Sequence, residues 1–103
     1  MKIYISIPIT GHDYDEQARK AKAIAQAIEA QGHKAVSPFD TPPPKDGISE
    51  KEHYAYYMGA DIERLLLCDG IYLTDGWRES RGCMLECEAA KIYGIDIIEL
   101  RQS

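Results

Sequence analysis

Two carboxylates fall on helix faces that are otherwise apolar. On a helical wheel from Gly82 to Tyr93 the apolar stripe is Leu85, Ala89, Ile92 and Tyr93, and Glu86 lies inside it while Glu88 and Lys91 lie outside. In the preceding helix, Tyr54, Met58, Asp61 and Leu65 form one line at spacings of four, three and four residues, so Asp61 sits mid-face and Glu63 points away. Burying an ionised group is expensive unless it is paired, which makes Glu86 and Asp61 candidate catalytic acids. Two such acids can divide the work. One stays ionised to stabilise or capture positive charge, and the other delivers a proton. Position alone also allows Glu86 to bend out to water from the edge of the stripe.

The elements that must position these acids alternate in type: strand, helix, strand, loop, helix, strand, helix, strand. Lys2 to Ile7 is a short β-branched strand without a clean polar face. Tyr14 to Gln31 is an Ala-rich helix with Ala18, Ala21, Ala25 and Ile28 on one side, ended by Gly32. A brief strand, Lys34 to Ser37, leads into a Pro-rich loop from Pro38 to Gly47, a segment of restricted freedom suited to a lid or an interface arm. Ser49 with Glu52 three residues on is a capping box, so the second helix runs from about Glu50 to Leu67. Strand Gly70 to Leu73, helix Arg81 to Tyr93 and a last strand Asp96 to Leu100 complete the chain.

This alternation predicts an α/β fold: a small doubly wound, flavodoxin- or Rossmann-like parallel sheet of four or five strands, with helices on both faces. In such sheets ligands bind beyond the carboxyl ends of the strands, where strand order reverses. Those ends are Ser6 to Gly11, Ser37 to Phe39 and Thr74 to Arg78, and Glu86 is in the early turns of the helix that leaves the third.

At 103 residues the chain is expected to form one domain, 1–103, with a single core. A 45% hydrophobic and 28% charged composition, with no apolar run of membrane-span length and no cationic-then-apolar leader, places it among soluble cytoplasmic proteins that do not engage a membrane. The net charge of −5 and pI of about 5.1 argue against binding duplex nucleic acid, which calls for a basic face. Cys68, Cys83 and Cys87 read as reduced core thiols. Cys83 and Cys87 are one turn apart, but no second His/Cys pair completes a zinc site, so no metal is expected.

Three segments carry a family resemblance. They are Ile3-Tyr4-Ile5-Ser6 through Pro8-Ile9-Thr10-Gly11; Asp61-Ile62 leading to Leu66 and Cys68-Asp69; and Ser80-x-Gly82-x-x-x-Glu86 followed by Ala89-Ala90 and Gly94. In this order and spacing the chain resembles the nucleoside 2-deoxyribosyltransferase superfamily, which includes deoxyribonucleoside 5′-monophosphate N-glycosidases and small members with Gly-Trp before the Ser-x-Gly. The resemblance implies cleavage or exchange of the bond between a nucleobase and 2-deoxyribose, with no cofactor. It assigns Glu86 as nucleophile, Asp61 as the acid that handles the base proton and Tyr4 as a hydrogen-bond donor to the nucleophile. Ser80 matches the position that holds the sugar 5′ end, an Asp in the transferases and a Ser in the monophosphate hydrolases. A 5′-monophosphate is therefore expected to bind about tenfold more tightly than a free 5′-hydroxyl.

The first loop, Ile7 to His12, lacks the Arg that the hydrolases use for phosphate, leaving Thr10, the amides near Gly11 and Ser80, and Arg78 or Arg81 for that task. The chain ends soon after Leu100, before the C-terminal groups that a neighbouring subunit supplies to the transferase sites. Candidate substrate-binding residues are Ser6, Pro8, Thr10, Gly11, Trp77, Ser80 and Gly82, and the expected ligand is a deoxynucleoside or nucleotide. Both acids titrate near 4 in isolation, so the environments must differ: burial should raise Asp61, and a bond from Tyr4 should favour ionised Glu86.

Each residue also has a plainer role. Tyr4 can be a packing aromatic, Ser80 a helix N-cap, and Trp77 a cover for the core or an interface as readily as a base-stacking ring. His12, His33 and His53 lack catalytic or metal spacing and read as surface groups. Tyr54, Tyr56 and Tyr57 beside the Pro-rich loop read as a contact surface for a homodimer or larger even-numbered assembly. A non-catalytic nucleotide-binding or sensing domain of the same fold remains the alternative to an enzyme.

Overall fold

In strand β1 (Lys2–Ser6) successive side chains leave opposite faces of the pleat, and that alternation sets the layers of the molecule. The computed structural model describes residues 1–98. Ile3 and Ile5 pack with Ala21 and Ile28 of helix α1 (Tyr14–Ala30) on one face. Tyr4 packs on the other face with Leu65 of α2 (Glu50–Leu66) and Ala90 of α3 (Arg81–Ile92). Strands β2 (Lys34–Val36), β3 (Gly70–Leu73) and β4 (Asp96–Ile98) join β1 in the order β2-β1-β3-β4, all parallel, with Tyr4 opposite Val36 on one side and Ile71 on the other. The expected small α/β sheet with helices on both faces is what forms. The Glu99 and Leu100 end of the expected last strand lies outside the described residues.

Local signals explain the element ends. The Asp13 side chain accepts from the Glu16 amide at the start of α1. At its end Gly32 takes a φ of +86°, where the amides of His33 and Gly32 donate to the carbonyls of Ile28 and Glu29; a Cβ would strain that backbone. Helix α2 opens on the expected capping box, with Ser49 and Glu52 bonded in both directions at 3.2 Å.

Two expectations are corrected. The Pro-rich stretch is not loop throughout: Pro38–Asp40 is a 3-10 turn whose Ser37 cap accepts from the Phe39 amide. Pro38 suits its first position because no partner is needed for the missing N–H. The arm that follows lies on its own chain, with Arg64 donating to the Ser37 carbonyl and Thr41 Oγ1 and the Tyr56 hydroxyl to the Pro42 carbonyl. The second correction concerns α3. Leu85, Ile92 and Tyr93 of the expected buried stripe are 51%, 69% and 68% exposed, and the buried line is Cys83, Glu86, Cys87 and Ala90. The helix rests on the sheet through small side chains, for which a thiol serves as well as a methyl, and its large residues project outward. Glu86 is thus buried, as expected, by a different set of neighbours. No helix among the described residues is long and apolar enough to cross a membrane.

Candidate active site

Tyr4 and Ser6 are two apart on β1 and leave the same face of the sheet, the face that α3 covers. Ser80 caps α3, its Oγ accepting from the Cys83 amide, and so fixes where the helix begins. Glu86, on the second turn, is delivered onto the two hydroxyls. Tyr4 donates to Glu86 Oε2 at 2.6 Å and Ser6 donates to Oε1 at 2.7 Å. Each carboxylate oxygen has its own buried donor, which orients the group and opposes its protonation.

Glu86 lies in the wall of a cavity of about 420 Å³, within the range of small-molecule sites. Asp61 enters from α2, and Tyr4, Thr10, Ser80 and Gly82 line the same cavity. Ile7, Ile9, Phe39, Tyr54, Tyr57 and Met58 make the rest largely apolar and aromatic. Gly82 is where α2 and α3 come close, since a Cβ there would stand 3.3 Å from Met58 Sδ. Ser6 supports Glu86 from behind, and the Pro8 carbonyl accepts from the buried Gln17 amide at 2.6 Å, which holds the Ile7–Thr10 segment against the cavity. Gly11, at a φ of +82°, closes the turn in which the His12 amide donates to the Ile9 carbonyl.

Trp77 does not line the cavity: the Arg78 guanidinium lies over its ring at 4.6 Å. No lysine or arginine lines the cavity among the described residues, whereas three carboxylates do, Glu50, Asp61 and Glu86.

Burial governs both central acids. It pushes Glu86 up to about 7, against the downward pull of the Tyr4 and Ser6 bonds and with a further push from Asp61. Asp61 rises to about 6, again through burial, with Arg64 and Thr41 pulling the other way. The expected downward influence of Tyr4 on Glu86 is present but outweighed. The Tyr4 hydroxyl is itself driven upward, first by burial and then by the Glu86 charge, so it remains a donor. Asp61 is 7% exposed, and its Oδ1 has no hydrogen-bond partner among the described residues.

Several lining residues escaped the sequence reading. Tyr14 meets Phe39 edge to face at 5.1 Å beside the opening, and His53, expected as a surface group, is exposed on the cavity wall. Thr41 and Cys83 also line it. Gln17, which holds the Pro8 carbonyl without lining the cavity, could have been found, because it continues the line Ala21, Ile24 and Ile28 one turn toward the helix start. Phe39, Thr41 and His53 gave no such signal; the path of the Pro-rich segment brings them in.

The family described as "Domain of unknown function (DUF4406)" matches residues 1–99. No curated protein sequence matches the chain. Among solved structures, the chain is similar to a 2-deoxyribosyltransferase from the psychrotolerant bacterium Bacillus psychrosaccharolyticus, at 22% identity and a TM-score of 0.70, covering 94% of this chain and 69% of that one. A conserved protein from Enterococcus faecalis V583 is similar at 23% identity and a TM-score of 0.64, covering 94% and 60%. A CMP N-glycosidase from Clostridium botulinum is similar at 15% identity and a TM-score of 0.57, covering 94% and 68%. At these identities the likeness is one of fold.

Proposed function

The chain belongs to the DUF4406 family, and we propose that it cleaves or exchanges the N-glycosidic bond of a deoxynucleoside, with Glu86 acting on the anomeric carbon and Asp61 on the leaving base. The observation that carries this reading is the clamped carboxylate: Glu86, 4% exposed, held by two short hydroxyl bonds in the wall of a cavity it shares with a second buried acid. Packing alone would be served by an apolar side chain, which needs no donors. The shared fold with a deoxyribosyltransferase and a CMP N-glycosidase supports the same chemistry.

In the proposed reaction the C–N bond lengthens and positive charge grows on the anomeric carbon and ring oxygen. Ionised Glu86 stabilises that charge and closes on the carbon as the base departs with the bond's electron pair, while protonated Asp61 supplies a proton to the base. Water or a second base then attacks the same carbon and frees Glu86. The productive form has Glu86 ionised and Asp61 protonated, the minor arrangement of the proton because Glu86 is raised further than Asp61, so base release should follow a bell-shaped pH profile of reduced height with its maximum between about 6 and about 7.

Tyr4→Phe removes one of the two donors to Glu86 and should lower the peak of that profile and carry its alkaline limb to higher pH, because Glu86, already the weaker acid of the pair, becomes harder to ionise. A profile unchanged in height and in its alkaline limb would separate Tyr4 from Glu86 ionisation.

The lining charges bear on the 5′ group. A phosphate would carry nearly two negative charges into a cavity lined by three carboxylates and, among the described residues, by no lysine or arginine. This counts against the monophosphate expected from Ser80 and favours a free 5′-hydroxyl near Ser80 and Thr10. Deoxynucleosides should bind roughly tenfold more tightly than their 5′-monophosphates by calorimetry. Tighter monophosphate binding would return the site to the nucleotide class.

A further inference from the structure

Helix α3 turns its large side chains away from the sheet. Leu85 and Ile92 stand two turns apart on the outer face, with half-buried Ala89 between them, and exposed Tyr93 ends the row. Gly82 stands against Met58 of α2, so the line Met58, Ile62 and Leu66 climbs out of the seam between the two helices, and Leu66 emerges 40% exposed beside the α3 row. Leu66, Leu85, Ile92 and Tyr93 leave on the order of 500 Å² open, as much as the largest patch on a typical monomer, and a polar rim brings the face near the roughly 800 Å² per partner of a standard interface. The tyrosines expected to carry a subunit contact are engaged elsewhere: Tyr54 and Tyr57 line the cavity, and Tyr56 donates to the Pro42 carbonyl.

The charges beside the row identify what covers it. Glu88 and Lys91 stand on the flank of α3 away from α2, both exposed and neither in an ion pair among the described residues. When two copies of one helix pack antiparallel about a two-fold axis, the same flank of each meets the other, and every contact occurs twice. With the axis near Ala89, Leu85 falls level with Ile92 of the partner subunit, and Glu88 falls beside the partner's Lys91. The face is thus complementary to itself in both shape and charge, and antiparallel helix dipoles favour the same arrangement. We infer that the outer face of α3, with the Leu66 end of α2, is an isologous interface on which a second copy of this chain docks with its α3 antiparallel.

The test is sedimentation of the purified protein across a dilution series, with three kinds of variant checked for folding by circular dichroism. The unaltered protein should sediment at twice the 11.6 kDa chain mass or an even multiple of it. Ile92→Glu, at an exposed position, should stay folded and halve that mass. Glu88→Lys alone and Lys91→Glu alone each set like charges face to face at both ends of the interface, and each should raise the dissociation constant at least about tenfold. The double exchange Glu88→Lys, Lys91→Glu should return it to within about threefold of the original. These charge variants carry the test if Ile92→Glu fails to fold. A monomer at tens of micromolar, or an assembly of any size whose mass Ile92→Glu leaves unchanged, overturns the interface. Single charge reversals without effect, or a double exchange that restores nothing, overturn the antiparallel docking.

Discussion

Replacing Glu86 by Gln is expected to reduce base release by at least about a thousandfold and to leave the protein folded. Gln keeps the shape and can still accept from Tyr4 and Ser6 through its one oxygen, but it cannot form the bond to the anomeric carbon or carry the charge that stabilises its neighbour. The stability side of the same variant has a definite sign. Glu86 titrates near 4.5 when unfolded and is pushed up to about 7 when folded. Its folded pKa is raised, so the stability it contributes is full below about 4.5 and is lost as pH rises through about 7, by an amount on the order of 3 kcal/mol. Asp61, raised from 3.8 to about 6, adds a loss of the same sign over a lower range. Thermal melts of the unaltered protein should therefore show higher stability near pH 5 than near pH 8, and Glu86→Gln should flatten that difference. A variant that retains its turnover, or one whose melt keeps the full pH dependence, would contradict this role for Glu86.

Asp61→Asn is expected to slow release by about a hundredfold for bases that depart with difficulty, and by much less for a base analogue that leaves readily as an anion. Asn has no acidic proton to give. Its pH profile should also change shape: the alkaline limb, which reports loss of the Asp61 proton, disappears, and the rate rises with pH to a plateau as Glu86 ionises. The measurement is kcat/KM across pH for both proteins with two leaving bases of different acidity. Equal rate losses with both bases, together with a retained alkaline limb, would exclude Asp61 as the proton donor.

Much of the scaffold was legible because it depends on local chemistry. The Ser49–Glu52 capping box, Gly32 after α1, and the β-branched Lys2–Ser6 strand each specify an element from a handful of neighbouring residues. Parallel pairing then follows from the alternation of strands and helices. Asp61 was legible because the α2 line around it is correctly phased, with Leu65 fully buried one turn on. The α3 stripe was misread because a wheel ranks side chains by apolar size, whereas a helix lying close to a sheet buries what is small. The clamp of Tyr4 and Ser6 on Glu86 spans 82 and 80 residues of chain, and the period of β1 put both hydroxyls on one face without revealing their partner. Family resemblance linked Tyr4 to Glu86; nothing pointed to the Ser6 bond.

The cavity wall contributed by Phe39, Thr41 and His53 lay beyond sequence reasoning for a related reason. These residues belong to no amphipathic pattern and are placed by the turn at Pro38–Asp40, by the Arg64 bonds that pin Thr41, and by the start of α2. Trp77, singled out as a possible stacking ring, instead pairs with its neighbour Arg78. A conspicuous aromatic in a loop carries little information about which way it faces.

The proposed function is tested most directly by liquid chromatography of 2′-deoxynucleosides incubated with the purified protein, with and without a second free base. Free nucleobase should appear from at least one deoxynucleoside, or a new deoxynucleoside should form from the added base, and neither should appear with Glu86→Gln. Intact deoxynucleosides across every base, in the presence of folded protein near pH 6.5, would contradict cleavage or exchange of the N-glycosidic bond.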